Sequence, residues 1–256
     1  MVAFGEEYSH YYDLLYEDKD YQKEVRHLRN LFDRFSSLPV KRIIDVACGT
    51  GNHVIPLAKQ GFTTCGMDIS TYMLNVAKTK AIDSSASQRI SFRRGDMRHY
   101  RPMGKFDACL CLFAALGYLS NHQQVLAALS SMRKHLRPEG LLILDVWNGV
   151  AVMSIKPSMR TKTIRRPGIM VKRRAEPSLD VANSLCKVNY RLAITSKGRT
   201  ENFSEIHKMR YFYPDEMRLL LRISGFNVLS LHPTSQPTRS LGPRDWGMTA
   251  VAVRVD

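Results

Sequence analysis

Three nearly uninterrupted apolar runs constrain this chain more than any other feature of its sequence. They read IIDV (43–46), CLCLF (109–113) and LLILDV (141–146). A strand buried on both faces has this composition, whereas a strand with one face in water alternates apolar and polar residues. Around these runs apolar residues recur at helical spacing, as in YQKEVRHLRNLFDRF (21–35). Buried strands that alternate with amphipathic helices predict a doubly wound parallel sheet.

The pattern predicts the order of the elements along the chain. A final helix is predicted after Tyr213, with Gly225 as its stop. Pro138 to Gly140 is expected to end the helix before the fifth strand. The fold class is therefore a Rossmann-like, seven-stranded, mostly parallel sheet. The predicted strands cover residues 42–47, 63–67, 90–93, 106–113, 141–146, 226–231 and 248–255, and helices between the first five cover 52–59, 71–80 and 123–136.

A different pattern fills residues 156–212. Polar and apolar residues alternate in CKVNYRLAITS (186–196) and SEIHKMRYF (204–212). Alternation with period two, interrupted by turn residues, is typical of antiparallel strands with one exposed face. We therefore predict an antiparallel β insert after strand five.

Composition limits the class of protein. With 256 residues and 44% hydrophobic content, the chain can bury a full core. The first residues lack a basic segment of the secretory type, and the longest nearly apolar run, 108–119, is shorter than the roughly 20 residues of a membrane span. We expect a cytoplasmic protein without membrane association. The five cysteines include no C-x-x-C pair, so buried thiols are expected and no metal site.

The net charge of +15 is concentrated in the predicted insert. Residues 151–212 hold fourteen Lys or Arg against four Asp or Glu, a balance of +10. Such an excess fits either a solvated basic surface or attraction to an anionic partner. Aromatic residues in this segment are too sparse for a platform that stacks single-stranded bases. A small anionic substrate is therefore favoured over nucleic acid.

The stretch IIDVACGTGNH (43–53) predicts a strand, a glycine turn and a helix start. In an open parallel sheet the first such turn borders the ligand crevice, and Gly49 and Gly51 would let the backbone approach a ligand closely. Asp45 lies inside the strand, where an acid needs backbone amides or a bound ammonium as its partner. Asp68 ends the second strand nineteen residues after Gly49, where an acid can accept both hydroxyls of a ribose.

One position separates two kinds of nucleoside-bearing ligand. Asp45 and Asp68 would suit a nicotinamide dinucleotide as well as a methyl donor that carries a nucleoside. A dinucleotide fingerprint requires a third glycine, and this chain has Val54 there. The methyl donor is therefore favoured.

Five segments share their order and separation with a known set of motifs. They are IDVACGTG (44–51), MDISTYML (67–74), RGDM (94–97), FDACLCLF (106–113) and LRPEGLL (136–142). Together they resemble the motifs of class I S-adenosylmethionine (SAM)-dependent methyltransferases. The resemblance covers residues 8–148 well and residues 207–225 more loosely. It implies that the chain is an enzyme of that family with SAM as its cofactor.

The resemblance also implies roles for residues of the first two motifs. Gly49 and Gly51 would pass close to the methionine portion of SAM, and Ala47 lies in the same turn. Asp45 would help to hold the methionine amino group, directly or through water. Asp68 would bind the ribose hydroxyls.

Residues of the second to fourth motifs would complete the cofactor site. By resemblance, Ile69 and Met73 flank the adenine, Asp96 reaches its exocyclic amine, and Met97 packs beside it. Leu112 would offer its backbone to the methionine amino group.

The N-terminal segment YDLLY (12–16), followed by Asp20 and Tyr21, narrows the subfamily. It resembles the lid of small-molecule methyltransferases, notably those that N-methylate the amino sugar of a nucleotide diphosphate sugar. Tyr12 and Tyr21 are therefore candidates for the cofactor site. That subgroup implies a further tyrosine upstream and a histidine after the fourth strand, whereas this chain has Phe4 and Tyr118 there.

The domain organisation follows from these elements. Residues 1–150 would form the lid helices and the SAM-binding core. Residues 151–212 would form the antiparallel insert, which covers the acceptor or pairs two subunits as a homodimer. Residues 213–256 would complete the core with a helix and two strands.

Methyl transfer from an activated donor needs alignment and exclusion of water more than chemical activation. The catalytic candidates are Tyr118, for positioning or proton removal, and Tyr12. His122, Asp145 and Trp147 are expected near the mouth of the crevice. No metal is expected.

Two other functions stay open at this point. A nucleic-acid methyltransferase would suit the basic charge, although the chain has FAAL (113–116) where many base-amino methyltransferases carry an Asn/Asp-Pro-Pro-aromatic signature. A non-catalytic SAM-binding subunit is the other alternative, because the glycine motif specifies a pocket and not turnover.

Overall fold

The computed structural model describes residues 4–100, 104–234 and 236–255. Within these ranges the chain forms eleven strands and seven α-helices. The strands are β1 (Arg42–Val46), β2 (Thr63–Asp68), β3 (Ile90–Arg94), β4 (Phe106–Cys111), β5 (Leu136–Asn148), β6 (Arg160–Arg166), β7 (Ile169–Asp180), β8 (Leu185–Ser196), β9 (Arg199–Phe212), β10 (Phe226–Pro233) and β11 (Gly247–Arg254). The helices are α1 (Glu6–Leu15), α2 (Tyr21–Phe35), α3 (Val54–Lys59), α4 (Thr71–Ile82), α5 (His122–His135), α6 (Gly149–Ile155) and α7 (Pro214–Ile223).

Seven of the strands make the core sheet. Strands β3, β2, β1, β4 and β5 are parallel neighbours in that order. Strand β11 then pairs with β5 in the antiparallel direction, and β10 pairs with β11. The predicted Rossmann-like fold with a mostly parallel sheet is confirmed.

Strands β6 to β9 form the antiparallel insert that the alternating pattern predicts. The end of β9 also pairs with the end of β5, through Trp147 with Tyr211 and Asn148 with Phe212. Because of this junction the described strands form one continuous sheet of eleven, so the predicted count of seven holds for the core alone. The division of the chain at residues 150 and 212 stays a prediction.

Both faces of the core sheet are buried, which explains the uninterrupted apolar runs. Alternate residues of β1, β4 and β5 pack against α5 and α7 on one face, among them Ile44, Cys109 and Leu142. Their neighbours in sequence pack against α2 and α3 on the other face, among them Ile43 and Leu110. All five cysteines are buried free thiols. None of the described helices has the length and apolar character needed to cross a membrane.

Among the boundaries that differ from the predictions, those of β4 and β5 have a clear structural cause. Strand β4 ends at Cys111 instead of residue 113, because Phe113 and Ala114 both turn into the left-handed region, with φ of 59° and 56°. Pro138 to Gly140 lies within β5 and not before it. The pairing of β5 with β4 is irregular at this point, so these residues interrupt the ladder without ending the strand.

Helix α1 lies between the core and the insert. Its buried residues Tyr8, Tyr12 and Leu15 join a cluster with Met73 of α4 and with apolar residues of β6, β7 and β8. Helix α1 and the inner face of the insert therefore form one packed layer over the carboxyl ends of the core strands.

Candidate active site

A cavity of about 790 Å³ lies at the carboxyl ends of β1, β2, β4 and β5, beneath α1 and the insert. This is the edge of the sheet at which the glycine turn was predicted to border a ligand crevice. Eight of the predicted site residues line the cavity: Tyr12, Ala47, Gly49, Asp68, Ile69, Met73, Met97 and Tyr118. Asp145, Trp147 and Phe4 line it as well.

The two glycines of the turn after β1 have different surroundings. Both adopt the left-handed region, with φ of 53° at Gly49 and 77° at Gly51. A Cβ atom at Gly49 would meet no atom within 4 Å, so the space beside it belongs to the cavity. A Cβ atom at Gly51 would lie 3.1 Å from the ring of Phe92 and 3.3 Å from Ala77. Gly49 thus leaves room for a ligand, whereas Gly51 allows close packing of the turn.

Asp68 connects the ends of β1 and β2. Its carboxylate accepts hydrogen bonds from the amides of Gly49 and Ser70, both at 2.8 Å. Burial raises the pKa of Asp68, and the hydrogen bonds from these amides oppose that shift in part. The carboxylate lines the cavity and is held in a fixed orientation beside the open space at Gly49.

Asp45 lies one layer behind the cavity wall. It is 3% exposed, and its Oδ2 atom is buried without a hydrogen-bond partner in the described structure. Burial raises its pKa to about 7; nearby His53 opposes the shift, while the carboxylates of Asp68 and Asp145 add to it. An unpartnered buried carboxylate is costly, and a cation placed near it would lower that cost.

Asp145 holds a strained turn at the end of β4. Its carboxylate accepts hydrogen bonds from the amides of Phe113 at 3.0 Å and Ala114 at 2.5 Å. Both of these residues have positive φ, a conformation that costs a non-glycine residue of order 1–3 kcal/mol. Burial raises the pKa of Asp145, and the two amide hydrogen bonds oppose the shift. The turn places Phe113 and Ala114 in the cavity wall.

Five of the predicted cofactor residues lie outside the cavity lining: Tyr21, Asp45, Gly51, Asp96 and Leu112. The Asp96 carboxylate is held by the Arg98 guanidinium, with Oδ1 2.9 Å from Nε. This hydrogen bond is the first cause of the lowered pKa of Asp96. Leu112 packs against the cluster beneath α2 and α3.

Other sequence candidates surround the cavity without lining it. The ring of Tyr21 meets His53 edge-on, at 5.3 Å between centroids, and burial raises the pKa of Tyr21 to about 12. His122 lies 2.8 Å from Glu216, near Arg210. The structure therefore does not bring Tyr21 or His122 into the wall of the site.

The opposite end of the cavity contains a chain of three hydrogen-bonded side chains. The Tyr118 hydroxyl lies 2.7 Å from Nδ1 of His207, and Nε2 of His207 lies 2.9 Å from Oε2 of Glu205. Tyr118 follows β4, whereas His207 and Glu205 come from β9 of the insert. Tyr118, His207 and Glu205 are called the relay below.

Sequence reasoning missed two members of the relay. The alternation in SEIHKMRYF puts Glu205 and His207 on the same face of β9, as the structure shows. That pattern alone does not say which face meets the core, nor that Tyr118 lies opposite. The contact joins residues 89 positions apart.

Aromatic side chains enclose the relay. The His207 ring packs against Phe4, Tyr8, Tyr118 and Tyr190, with ring centroids 4.9 to 5.7 Å apart. Farther out, Trp147 and Trp246 meet edge-on at 5.5 Å and both line the cavity. After the roles predicted from the sequence, the end lined by Tyr118, Tyr190, His207, Trp147 and Trp246 is called the acceptor end, and the end lined by Ala47, Gly49, Asp68, Ile69 and Met97 is called the cofactor end.

Comparison with known proteins gives the family. The family described as a methyltransferase domain matches residues 43–140, which carry the glycine turn and most of the strands around the cavity. A putative methyltransferase of Bacillus subtilis is 31% identical over 195 residues, which are 75% of this chain and 76% of that protein. The chain belongs to the SAM-dependent methyltransferases.

Further relatives of this methyltransferase have named substrates. The dTDP-3-amino-3,4,6-trideoxy-alpha-D-glucopyranose N,N-dimethyltransferase of Streptomyces venezuelae is 29% identical over 85% of this chain and 89% of its own length. The dTDP-3-amino-3,6-dideoxy-alpha-D-glucopyranose N,N-dimethyltransferase of Streptomyces fradiae is 27% identical over 89% of this chain and 87% of its own length. The crystal structure of Streptomyces venezuelae DesVI matches with a TM-score of 0.79 and 25% identity, over 97% of this chain and 98% of that one.

The cofactor end fits SAM by its donor chemistry. A carboxylate that lines a cavity and is fixed by backbone amides, as in Asp68, suits a pair of ribose hydroxyls. The unpartnered Oδ2 of Asp45 suits the ammonium of the methionine portion. Among the described residues, no group of three His, Cys, Asp or Glu could hold a metal ion.

Proposed function

We propose that this methyltransferase methylates the amino group of a sugar carried on a nucleoside diphosphate. The observation that carries the proposal is the continuity of the cavity, which runs from Asp68 and Gly49 to Tyr118 and His207 without a dividing wall. A volume of about 790 Å³ is within the usual range of about 300–1,000 Å³ for small-molecule sites. The two dTDP-amino-sugar dimethyltransferases described above support this substrate class.

The cofactor end would hold SAM, which supplies an activated methyl group. We assign the ribose hydroxyls to Asp68 and the methionine ammonium to the field of Asp45. Ala47 and Gly49 would leave room for the methionine portion of SAM, and Ile69 would cover the adenine. Met73, Met97 and Tyr12 would close the remaining wall; the roles of Gly51, Tyr21, Asp96 and Leu112 rest on the resemblance of their motifs.

The protein's own residues would align the acceptor and keep water out. Helix α1 and the inner face of the insert cover the cavity, and Tyr12, Tyr16 and Tyr190 contribute aromatic rings to that cover. Tyr118 would position the acceptor nitrogen. Burial raises the pKa of the Tyr118 phenol well above its ordinary value, so it is not an independent base.

Two cations favour a negatively charged acceptor. Lys208 lines the cavity and has no ion pair within the part of the chain that the structure describes. The Arg173 guanidinium packs over the rings of Tyr16 and Tyr190, at 5.2 and 5.1 Å, and its Nη1 donates to the Tyr16 hydroxyl at 3.0 Å. Neither cation has a carboxylate partner there. Lys208 can therefore attract a diphosphate from the cavity wall, and Arg173, behind the lining, adds positive charge to the same region.

The proposal is tested by offering labelled SAM with three acceptors to the purified chain. These are dTDP-3-amino-3,6-dideoxyglucose, the matching 3-hydroxy sugar nucleotide, and a mixed RNA. We expect the amino sugar alone to gain one or two methyl groups, read by mass spectrometry. Methylation of the hydroxy sugar or the RNA, without reaction of the amine, would refute the proposal.

A further inference from the structure

The relay joins the core of the enzyme to its insert through one short hydrogen bond, between Tyr118 and His207, and a second bond within β9 joins His207 to Glu205. Tyr118 and His207 both line the cavity, and His207 is 3% exposed. Glu205 is also buried and lies behind His207. The order from the cavity inward is therefore phenol, imidazole, carboxylate.

The chemistry of the three groups fixes the direction of the hydrogen bonds. Burial raises the pKa of Glu205, but hydrogen bonds from His207 and from the amides of Gly5 and Phe4 lower it more, so the carboxylate is ionised. An ionised carboxylate only accepts, so Nε2 of His207 donates to it. In a neutral imidazole Nδ1 then carries the lone pair, and the Tyr118 hydroxyl donates to Nδ1. The lone pairs of the Tyr118 oxygen stay free for a donor in the cavity.

The surroundings leave the imidazole as the proton acceptor. The titratable groups that face His207 are Tyr8 of α1, Tyr118 of the turn after β4, Tyr190 of β8, and Glu205 of its own strand. Burial raises the pKa of all three tyrosines, so none of them ionises by itself near neutral pH. Arg173 lies beyond Tyr8 and Tyr190 and adds positive charge there.

We propose that His207, oriented by Glu205, takes up the proton that the acceptor nitrogen releases, with the Tyr118 hydroxyl as the carrier. This inference rests on the proposed function, because it needs an amine as the acceptor. Tyr118 contacts the acceptor in this scheme, and His207 and Glu205 act through Tyr118.

The proton balance is closed within the relay. An ammonium on the sugar gives one proton to the Tyr118 oxygen, and its nitrogen recovers the lone pair needed for attack on a methyl group. At the same time the Tyr118 hydroxyl gives its own proton to Nδ1 of His207. The products are a neutral amine, a neutral phenol and an imidazolium whose Nε2–H is held by the Glu205 carboxylate. The imidazolium returns its proton to solvent before the next turnover.

Glu205 also holds the N-terminal segment over the cavity. Its Oε1 accepts from the amide of Gly5 at 2.7 Å, and its Oε2 accepts from the amide of Phe4 at 3.0 Å. The Phe4 carbonyl in turn accepts from the Ser70 hydroxyl at 3.1 Å. One carboxylate therefore both orients His207 and holds the N-terminal segment over the cavity.

The first test compares the pH dependence of kcat for the wild type and for His207→Gln with the amino-sugar nucleotide. At neutral pH we expect the variant to lose about 100-fold in kcat, the low end of a general-base effect. Its rate should recover as the pH rises, because the acceptor then arrives as a neutral amine. The dissociation constant for SAM should not change, and His10→Gln, at an exposed position of α1, should match the wild type.

Tyr118→Phe and Glu205→Gln separate the carrier from the orienting group. Tyr118→Phe should reproduce the kcat loss of His207→Gln. In Glu205→Gln, kcat should fall about tenfold. The acidic limb of its pH profile of kcat should shift to lower pH, because the imidazolium loses its anionic partner. A protein with ¹⁵N-labelled histidine should show His207 as the Nε2–H tautomer, independently of any turnover.

The outcomes distinguish the relay from the substrate proposal. If the wild type methylates the amine and His207→Gln keeps both its kcat and its pH profile, the relay is wrong. An Nδ1–H tautomer of His207 would overturn it as well. If the wild type methylates no amine, the proposed function fails, while the tautomer still tests the hydrogen-bond assignment.

Discussion

The two ends of the cavity are built in different ways. At the cofactor end, carboxylates are held by backbone amides of adjacent turns, as Asp68 is by Gly49 and Ser70. At the acceptor end, side chains hold side chains, as Tyr118 and Glu205 hold His207. The first arrangement follows from the local path of the chain after each core strand. The second exists only when the insert is packed on the core.

This difference predicts separable effects of substitution. Changes at the cofactor end should alter SAM affinity or the energetics of the turns, and leave the acceptor constants in place. Changes at the acceptor end should do the reverse. The four predictions below test this separation, from the largest expected effect to the smallest.

Asp45→Asn should change the pH dependence of stability. Because the pKa of Asp45 in the folded chain is about 7, above its ordinary value, its contribution to stability is full below about pH 4 and is lost as the pH rises through 7. The variant keeps a neutral group at every pH. Its free energy of unfolding relative to that of the wild type should therefore increase by about 2–3 kcal/mol between pH 5 and pH 8. Urea unfolding at several pH values measures this. Parallel profiles for the two proteins would contradict the assignment.

Asp68→Ala should weaken SAM binding about 30-fold, through loss of two hydroxyl contacts worth about 1 kcal/mol each. Titration calorimetry measures the dissociation constant. Asp83→Asn is the control: this exposed carboxylate lies at the C-terminal end of α4, outside the cavity lining, so less than about a threefold change is expected. Unchanged affinity in Asp68→Ala would refute the ribose assignment.

Alanine at Gly49 and at Gly51 should separate ligand space from packing. Each substitution places a Cβ on a left-handed residue, at a cost of about 1–2 kcal/mol. Gly51→Ala also meets Phe92 and should lower the melting temperature more. Gly49→Ala should have a higher melting temperature than Gly51→Ala. Its dissociation constant for SAM should be about tenfold higher than that of Gly51→Ala, since the added Cβ enters the cavity. The opposite order in either measurement would show that the two glycines have been assigned the wrong way round.

Lys208→Gln should change KM for the acceptor and leave SAM binding unchanged. Removal of one cation from the cavity wall should raise KM for the nucleotide sugar by about threefold to fivefold, equivalent to roughly 1 kcal/mol or less. Lys197→Gln removes the same charge from an exposed position in the turn between β8 and β9, outside the cavity lining, and serves as the control. Steady-state kinetics at low salt measure both. Equal effects of the two substitutions would point to net charge rather than to a contact.

The sequence predicts the core and the cofactor end because both depend on local patterns. Buried runs such as IIDV define the strands, and Gly49 and Asp68 mark the ends of the first two. The insert follows from alternation alone. The relay does not follow, because Tyr118 meets His207 only through the packing of β9 over the turn after β4. The left-handed pair Phe113 and Ala114 was also missed, since no glycine marks it and a distant carboxylate, that of Asp145, holds it.

The buried cysteines have a practical consequence for studying closure of the cover. Burial raises the pKa of all five thiols, and thiolate is the form that reacts with alkylating probes. The native chain should therefore label slowly with maleimides. A single cysteine introduced at exposed His10 of α1 would carry a fluorophore with little background, so movement of the helix could be followed in solution without first removing any native residue.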